Sequence, residues 1–278
     1  MNKKIDSKMR PPIVEGIFYP SDKTELEKLI ASYIENKERK KAQIILSPHA
    51  GYNTAGQQIG DAFLAAAGKK VEEIIIISPV HREEQDTIIL PYFTKFSTAA
   101  GELEINMKSL HLFKGNDPSI IRDDVPHLEE HAIEDQLPFI STLFPGVKIL
   151  PVLLGKTTIS LIKKLTAALE RAYGPDPENV LFVVTSNLSN YEKKESALSK
   201  ADRALEIFKA GNWRDICEEK RTGLINACGA GALAGLLALY SRPFTMTTLS
   251  RSISEGKESE KGKIVSYGAL SFELKESD

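Results

Sequence analysis

Five short stretches of this chain are almost unbroken runs of aliphatic residues, near 42–47, 72–78, 86–91, 147–154 and 179–186; the second contains Ile74-Ile75-Ile76-Ile77 and the last Val180-Leu181-Phe182-Val183-Val184. A strand with one wet face alternates apolar and polar residues, whereas a continuous apolar run needs cover on both faces. Segments with apolar residues at helical spacing lie between and after these runs, near 55–68, 129–144, 158–173, 193–210 and 227–241. This alternation predicts an α/β fold, a three-layer α/β/α domain around a central, mainly aliphatic sheet. An earlier helix starts at Asp22-Lys23-Thr24-Glu25, which resembles a capping box. It carries Leu26, Leu29, Ile30, Tyr33 and Ile34 on one face and ends in a charged, solvated run at 36–41. The last part reads as a hairpin at a sheet edge, with strands near 244–251 and 263–273 around a Ser-Glu-Gly-Lys-rich loop at 254–262. No repeat or long linker interrupts the pattern, so residues 1–278 are read as a single domain.

Charge narrows the function. With 36 Lys+Arg against 38 Asp+Glu the chain has a formal net charge of -2, and no global field recruits nucleic acid or an anionic membrane. The basic start, Met1 to Lys8, leads into Met9-Arg10-Pro11-Pro12 and not into an apolar signal segment. The longest apolar stretch, 227–240, is too short to span a bilayer. The chain therefore reads as soluble and cytoplasmic. Two cysteines, Cys217 and Cys228, are too few for a disulfide framework.

Two of the aliphatic runs end alike, in Ser47-Pro48-His49-Ala50-Gly51-Tyr52 and in Ser78-Pro79-Val80-His81. Proline fixes its own φ and keeps the preceding serine out of helical geometry, so each turn holds its histidine in one place. In an open α/β sheet the carboxyl ends of the strands are where ligands collect. A third polar cluster is Glu129-Glu130-His131-Ala132-Ile133-Glu134-Asp135-Gln136. On one continuous helix His131 and Glu134, and likewise Glu130 and Glu134, would share a face. Such carboxylates either complement the helix dipole or orient a metal-bound histidine or a substrate. Cys228 stands at the head of a helix, where a thiolate, the form that binds metal, is stabilised. The run Gly229-Ala230-Gly231-Ala232-Leu233-Ala234-Gly235 has the spacing of neither nucleotide-binding loop and predicts close helix packing.

Taken in order, Arg10 through Pro20 with Glu15-Gly16-Ile17-Phe18-Tyr19-Pro20, Pro48-His49-Ala50-Gly51-Tyr52, Ser78-Pro79-Val80-His81, Glu130-His131-Ala132-Ile133-Glu134 with Leu137-Pro138-Phe139, Asn226-Ala227-Cys228-Gly229 and Val265-Ser266-Tyr267-Gly268-Ala269-Leu270 resemble the Memo family, the B component of the AmmeMemoRadiSam system. The resemblance implies a fold similar to that of class III extradiol dioxygenases. It also implies a metal held by His49, His81 and Cys228, and an AMMECR-type protein and a radical SAM enzyme as partners. Such a ligand set suits iron or copper ahead of zinc and leaves coordination positions open. A shared ion requires the three donor atoms to lie within about 5 Å of one another.

The departures from the family pattern set the functional expectation. Asn187 and Asn190 stand where an acid and an imidazole are expected, and Gln136 stands where a histidine is frequent. An amide takes up no proton near neutral pH, so a general base is lost at Asn190. The expected protein is thus a metal- or ligand-binding accessory protein without turnover. Its cleft would be lined by Tyr52, Glu130, Gln136, Asn187 and Asn190 and would take a small molecule or a peptide. The alternative is a metal-dependent oxidoreductase of dioxygenase type, with His131 and Glu134 as its catalytic acid-base pair. Metal-assisted hydrolysis, with Glu130 or Glu134 activating water, ranks below both.

Overall fold

A computed structural model describes residues 8–82, 85–175, 177, 179–240, 243–254 and 262–275. The first half runs β1 (Met9–Arg10), α1 (Lys23–Ile34), β2 (Ile44–Ser47), α2 (Tyr52–Leu64), β3 (Glu73–Pro79), β4 (Ile88–Leu90), β5 (Lys95–Thr98), β6 (Gly101–Glu104), α3 (Met107–Lys114), β7 (Ile120–Arg122) and α4 (Val125–Glu129). After a 3-10 turn at Glu134–Gln136 come α5 (Leu137–Leu143), β8 (Lys148–Leu154), α6 (Ile159–Tyr173), β9 (Val180–Thr185), β10 (Ser189–Lys193), α7 (Lys194–Ala210), α8 (Trp213–Thr222), α9 (Ala230–Leu239), β11 (Phe244–Ile253) and β12 (Lys263–Leu274).

The aliphatic runs form the middle of a nine-stranded mixed sheet of order β10-β12-β2-β9-β3-β8-β4-β7, with β11 paired to β12. Its centre, β2-β9-β3-β8, is parallel. Ile74 to Ile77 of β3 are fully buried, as the continuous pattern requires. Helices α1, α2 and α5 pack together in one layer, and α3, α6, α8 and α9 in the other. The glycine-rich run is a packing device: a Cβ on Gly235 would stand 2.5 Å from Leu165 of α6. The C-terminal hairpin forms with β11 outermost, Phe244 opposite Leu274 and Ile253 opposite Ser266. Residues 255–261 of the loop between, like residues 1–7, lie outside the described residues. Among the described residues no helix is long and apolar enough to cross a membrane.

One expected helix is divided. The segment 129–144 holds the end of α4, an open stretch, the 3-10 turn and α5. Pro138 sits in the first turn of α5. It has no N–H to donate to the carbonyl of Glu134, so a continuous helix would lose a bond there and a new helix starts instead. Glu130, His131 and Glu134 consequently do not share one helix face. A small second sheet, β1-β5-β6, was not anticipated from the sequence. Its first strand is two residues long and has no periodicity to read.

Candidate metal centre

Strands β2, β9 and β3 are adjacent and parallel, with Ser47 opposite Thr185 and Ile77 opposite Val184. Each ends at the same edge, and the second residue past β2, β9 and β3 is His49, Asn187 and His81 respectively. Cys228 reaches this edge from the turn before α9. There Gly229 N donates to Ser186 Oγ (2.9 Å), and a Cβ at Gly229 would come within 2.5 Å of Thr185 O. Only glycine lets the turn approach β9 so closely. The Cys228 sulfur lies 3.5 Å from His49 Nε2 and accepts from the backbone N–H of Asn187 at 3.2 Å. The donor atoms of His49, His81 and Cys228 all lie within 4.8 Å of one another. A tetrahedral ion bound at about 2.0–2.3 Å would space its ligands roughly 3.3–3.8 Å apart, so the set fits a single first-row metal with little rearrangement.

The charges match this use. Burial pushes the Cys228 thiol up, but the charge and hydrogen bond of His49, together with those of His81, hold its pKa well below the ordinary 9.0. Burial pulls His81 down, yet hydrogen bonds to Cys228 and Glu130 and the charge of that carboxylate raise it to about 10. Glu130 responds in the opposite sense: burial raises it, and the His81 hydrogen bond and charge bring it down to about 2. One oxygen of Glu130 meets His81 Nδ1 (2.9 Å) and accepts from the His81 backbone N–H (3.1 Å), while the other accepts from Ala132 N (3.0 Å). Glu130 therefore fixes which ring nitrogen of His81 faces the sulfur, the arrangement by which a carboxylate orients a metal-bound imidazole. His49 is 4% exposed, and its Nδ1 has no hydrogen-bond partner among the described residues.

A cleft of about 550 Å³ opens beside these residues, lined in part by His49, His81, His131, Asn187, Asn190 and Tyr191. No carboxylate, lysine or arginine side chain lines it among the described residues. The ring of His131 stands 5.7 Å from that of His49 and 5.8 Å from that of His81. Burial, and then the charge of His49, lowers the pKa of His131 to about 4, so its imidazole is neutral at physiological pH.

The sequence pattern described as "Memo-like protein" matches residues 10–271. The chain belongs to the Memo-like family. It is 27% identical over 278 residues to a MEMO1 family protein of Nitrosopumilus maritimus, covering 95% of this chain and 99% of that one. It is 29% identical to a MEMO1 family protein of Thermoplasma acidophilum over 94% of this chain and 97% of the relative. A MEMO1 family protein of a Thermotoga strain is 26% identical over 93% and 97%.

Within this Memo-like chain the structure separates the predicted site residues. His49, His81, His131, Asn187 and Asn190 line the cleft, and Cys228 borders it through its contact with His49. Asn187 Oδ1 accepts from His49 N (3.2 Å), Asn187 Nδ2 donates to Asn190 Oδ1 (3.1 Å), and Asn190 Nδ2 donates to Asn226 O (3.1 Å). The two amides thus brace three loops. Glu130 stands behind His81 and does not line the cleft.

Besides Glu130, three further expectations need correction. Glu134 is fully buried away from the cleft, where its carboxylate accepts from Arg10, the backbone N–H groups of Ile13 and Val14, and Tyr19 Oη. With those bonds made it has no lone pair for acid-base work. Tyr52 is buried, and its hydroxyl donates to Asp135 O at 2.8 Å. Gln136 lies beneath the Ser47-Pro48 turn, accepting from Ser47 Oγ (2.6 Å) and donating to Pro48 O (3.0 Å). It supports the loop that carries His49. The break before Pro138 accounts for Glu134 and Gln136, which sit on a separate turn.

Tyr191 carries no signal in the sequence. It lies in a bulge where the β10-β12 register shifts, at φ 52°, with its ring at the cleft and 65% exposed.

Proposed function

We propose that His49, His81 and Cys228 hold one first-row transition-metal ion, iron or copper ahead of zinc, and that the cleft presents a small molecule or a peptide to its open positions without turnover. The observation that carries this reading is the convergence of three donor atoms within 4.8 Å, one of them a stabilised thiolate. Imidazole nitrogen with thiolate sulfur suits copper and iron as well as zinc. Bound there, such an ion would supply Lewis-acid or one-electron chemistry. Binding without turnover follows from the loop after β9, because both Asn187 and Asn190 are amides already bonded to protein partners. Neither takes a proton from a ligand. Metal analysis of protein purified without a His-tag, followed by titration with Fe(II), Cu(I), Cu(II) and Zn(II), tests the reading. One equivalent of iron or copper, lost in Cys228→Ser, is expected; a wild-type protein that retains and binds none of these ions would sink it.

One observation favours the alternative of a metal-dependent oxidoreductase. His131 shares the cleft with both histidine ligands and is not part of the converged donor set. On that reading His131, neutral near pH 7, takes the proton that Asn190 does not. Anaerobic loading with Fe(II) followed by oxygen and a catechol distinguishes the two readings. Ring opening that disappears in His131→Ala would establish the oxidoreductase, and none is expected if the protein only binds.

A further inference from the structure

Arg10, at the end of β1, is fully buried. Its guanidinium donates through Nε to His127 O (2.8 Å), through one terminal nitrogen to Glu130 O (3.0 Å), and through the other to Glu134 Oε2 (2.5 Å) and Pro11 O (3.2 Å). Its Cζ lies over the Phe96 ring, 5.2 Å from the centroid. His127 is in the last turn of α4 and Glu130 is its C-cap. Carbonyls at a helix C-terminus lack intrahelical partners and carry partial negative charge, so the guanidinium both bonds and neutralises that end.

Glu134 completes the lock from the other side, holding the backbone of Ile13 and Val14 and the hydroxyl of Tyr19. One buried ion pair thereby ties residues 10–19 to residues 127–134. Two parts of the site lie on the segments it joins. Glu130 has its carbonyl on Arg10 and its carboxylate on His81, and His131 packs edge-on against Phe18 at 5.2 Å.

We propose that Arg10 is a positioning residue of the metal centre: by capping α4 it fixes Glu130, which in turn fixes the ring of His81. The inference rests on the metal reading above. Stability alone is a weak reason for a buried ion pair, since apolar replacements are often as stable, whereas holding two segments in one register is a use such pairs serve well. Arginine suits the place because its planar fork reaches three carbonyls and a carboxylate at once; a lysine ammonium is a single point charge.

Co(II) is the probe, read by its thiolate-to-metal charge-transfer band. Arg10→Gln should weaken Co(II) binding about 10- to 100-fold, the range for loss of a group that orients a ligand. Arg10→Lys should recover part of that loss. The Arg10→Gln/Glu130→Gln double variant should bind no more weakly than Glu130→Gln alone, because the two act in series. Affinities within about twofold of wild type in both Arg10 variants, or additive losses in the double variant, would overturn the proposal and leave Arg10 a residue of the fold only. If Arg10→Gln does not fold, Arg10→Lys and Tyr19→Phe, which loosens Glu134 without unpairing a charge, carry the same comparison. Imidazole NMR gives a readout without metal: the His81 Nδ1–H bonded to Glu130 should be seen in wild type, lost in Arg10→Gln and weakened in Arg10→Lys. An unchanged signal in those variants also overturns the proposal, and a wild-type protein with that signal but no cobalt band overturns the metal reading instead.

Discussion

Strand β3 begins and ends beside a buried carboxylate, and the two are held in opposite ways. At its start, Glu73 accepts from Asn106 Nδ2 (2.7 Å), Ser109 Oγ (2.7 Å) and Tyr173 Oη (2.9 Å), all neutral donors. Burial outweighs those bonds and its pKa rises. Past its other end, Glu130 meets the imidazole of His81 and its pKa falls. Neutral donors satisfy a buried carboxyl without making its charge useful. An imidazole partner turns the same group into a device that sets the tautomer and direction of a ligand. The far end of β3 is thus built for stability and the near end for binding.

The strongest way to break this contrast is to remove a ligand at the near end. Cys228→Ser should abolish high-affinity metal binding, a larger loss than the ~10- to 100-fold expected from altering Glu130. Thermal stability of the metal-free protein should change little, because Cys228 borders the cleft and is only partly buried. Equal metal affinity in the variant, measured by competition with a chelator, would move the site elsewhere.

Exchanging the perturbation between the two ends sharpens it. Glu73→Ala leaves the donors of Asn106, Ser109 and Tyr173 unpaired in a buried place, at a cost of about 1–3 kcal/mol for each one that stays unsatisfied. Chemical denaturation should show that cost while metal affinity stays at the wild-type level. Glu130→Gln should show the reverse, an affinity loss with the smaller change in stability. If both variants lose stability and affinity in the same proportion, the two ends of β3 do not differ in role.

How much of this was legible in the sequence divides along the same line. The aliphatic runs of β2, β3, β8 and β9 announced themselves because burial on both faces removes polar residues. The matched turns before His49 and His81 were readable because proline restricts each one locally. Cys228, 147 residues beyond His81, was named through the family pattern and the head of its helix, since no local pattern joins it to the histidines. The direction of Glu134 was not readable: His131 to Glu134 has helical spacing, and only the partner, Arg10, 124 residues away, shows which way the carboxylate turns. Tyr52 and Gln136 were misplaced for the same reason, their bonds being to segments distant in the chain.

A pH titration probes the segment that joins Arg10 to the site. His127 is buried, with Arg10 and Glu130 as the charged groups near it and Phe96 edge-on to its ring. Burial, with Arg10 adding to it, lowers its pKa to about 3 against an ordinary 6.5, even though the Ile89 carbonyl and Glu130 oppose the fall. The native state therefore holds His127 neutral, and the unfolded state takes up a proton first as pH falls. Its contribution is fully present above about pH 6.5 and is lost between there and pH 3, at up to ~1.4 kcal/mol per pH unit. Glu73 acts in the other direction: its raised pKa favours the folded state below its ordinary 4.5 and withdraws that benefit as pH rises through the folded value. Melting temperature against pH should fall on the acid side in wild type and fall less steeply in His127→Leu. Parallel acid limbs in the two proteins would show that His127 is protonated in the native state as readily as in the unfolded one.

The smallest effect concerns two residues that share a left-handed backbone for different reasons. Asn36, at φ 58°, follows the C-cap of α1, a position asparagine fills without much strain. Tyr191, at φ 52°, has no such tolerance and sits at the cleft mouth in the β10 bulge. An aromatic residue kept in that conformation stores strain of order 1–2 kcal/mol, and such strain gathers where a side chain must be aimed. Tyr191→Asn should relieve part of it and raise stability by about 0.5–1 kcal/mol, read as a melting temperature higher by a few degrees at most. Because the ring is 65% exposed, little packing is lost in exchange. The same substitution should weaken any ligand that reaches the mouth while leaving Co(II) affinity at His49, His81 and Cys228 unchanged. A lower melting temperature would mean that the ring holds the bulge in place, and the strain would then belong to the fold at this edge and not to the cleft.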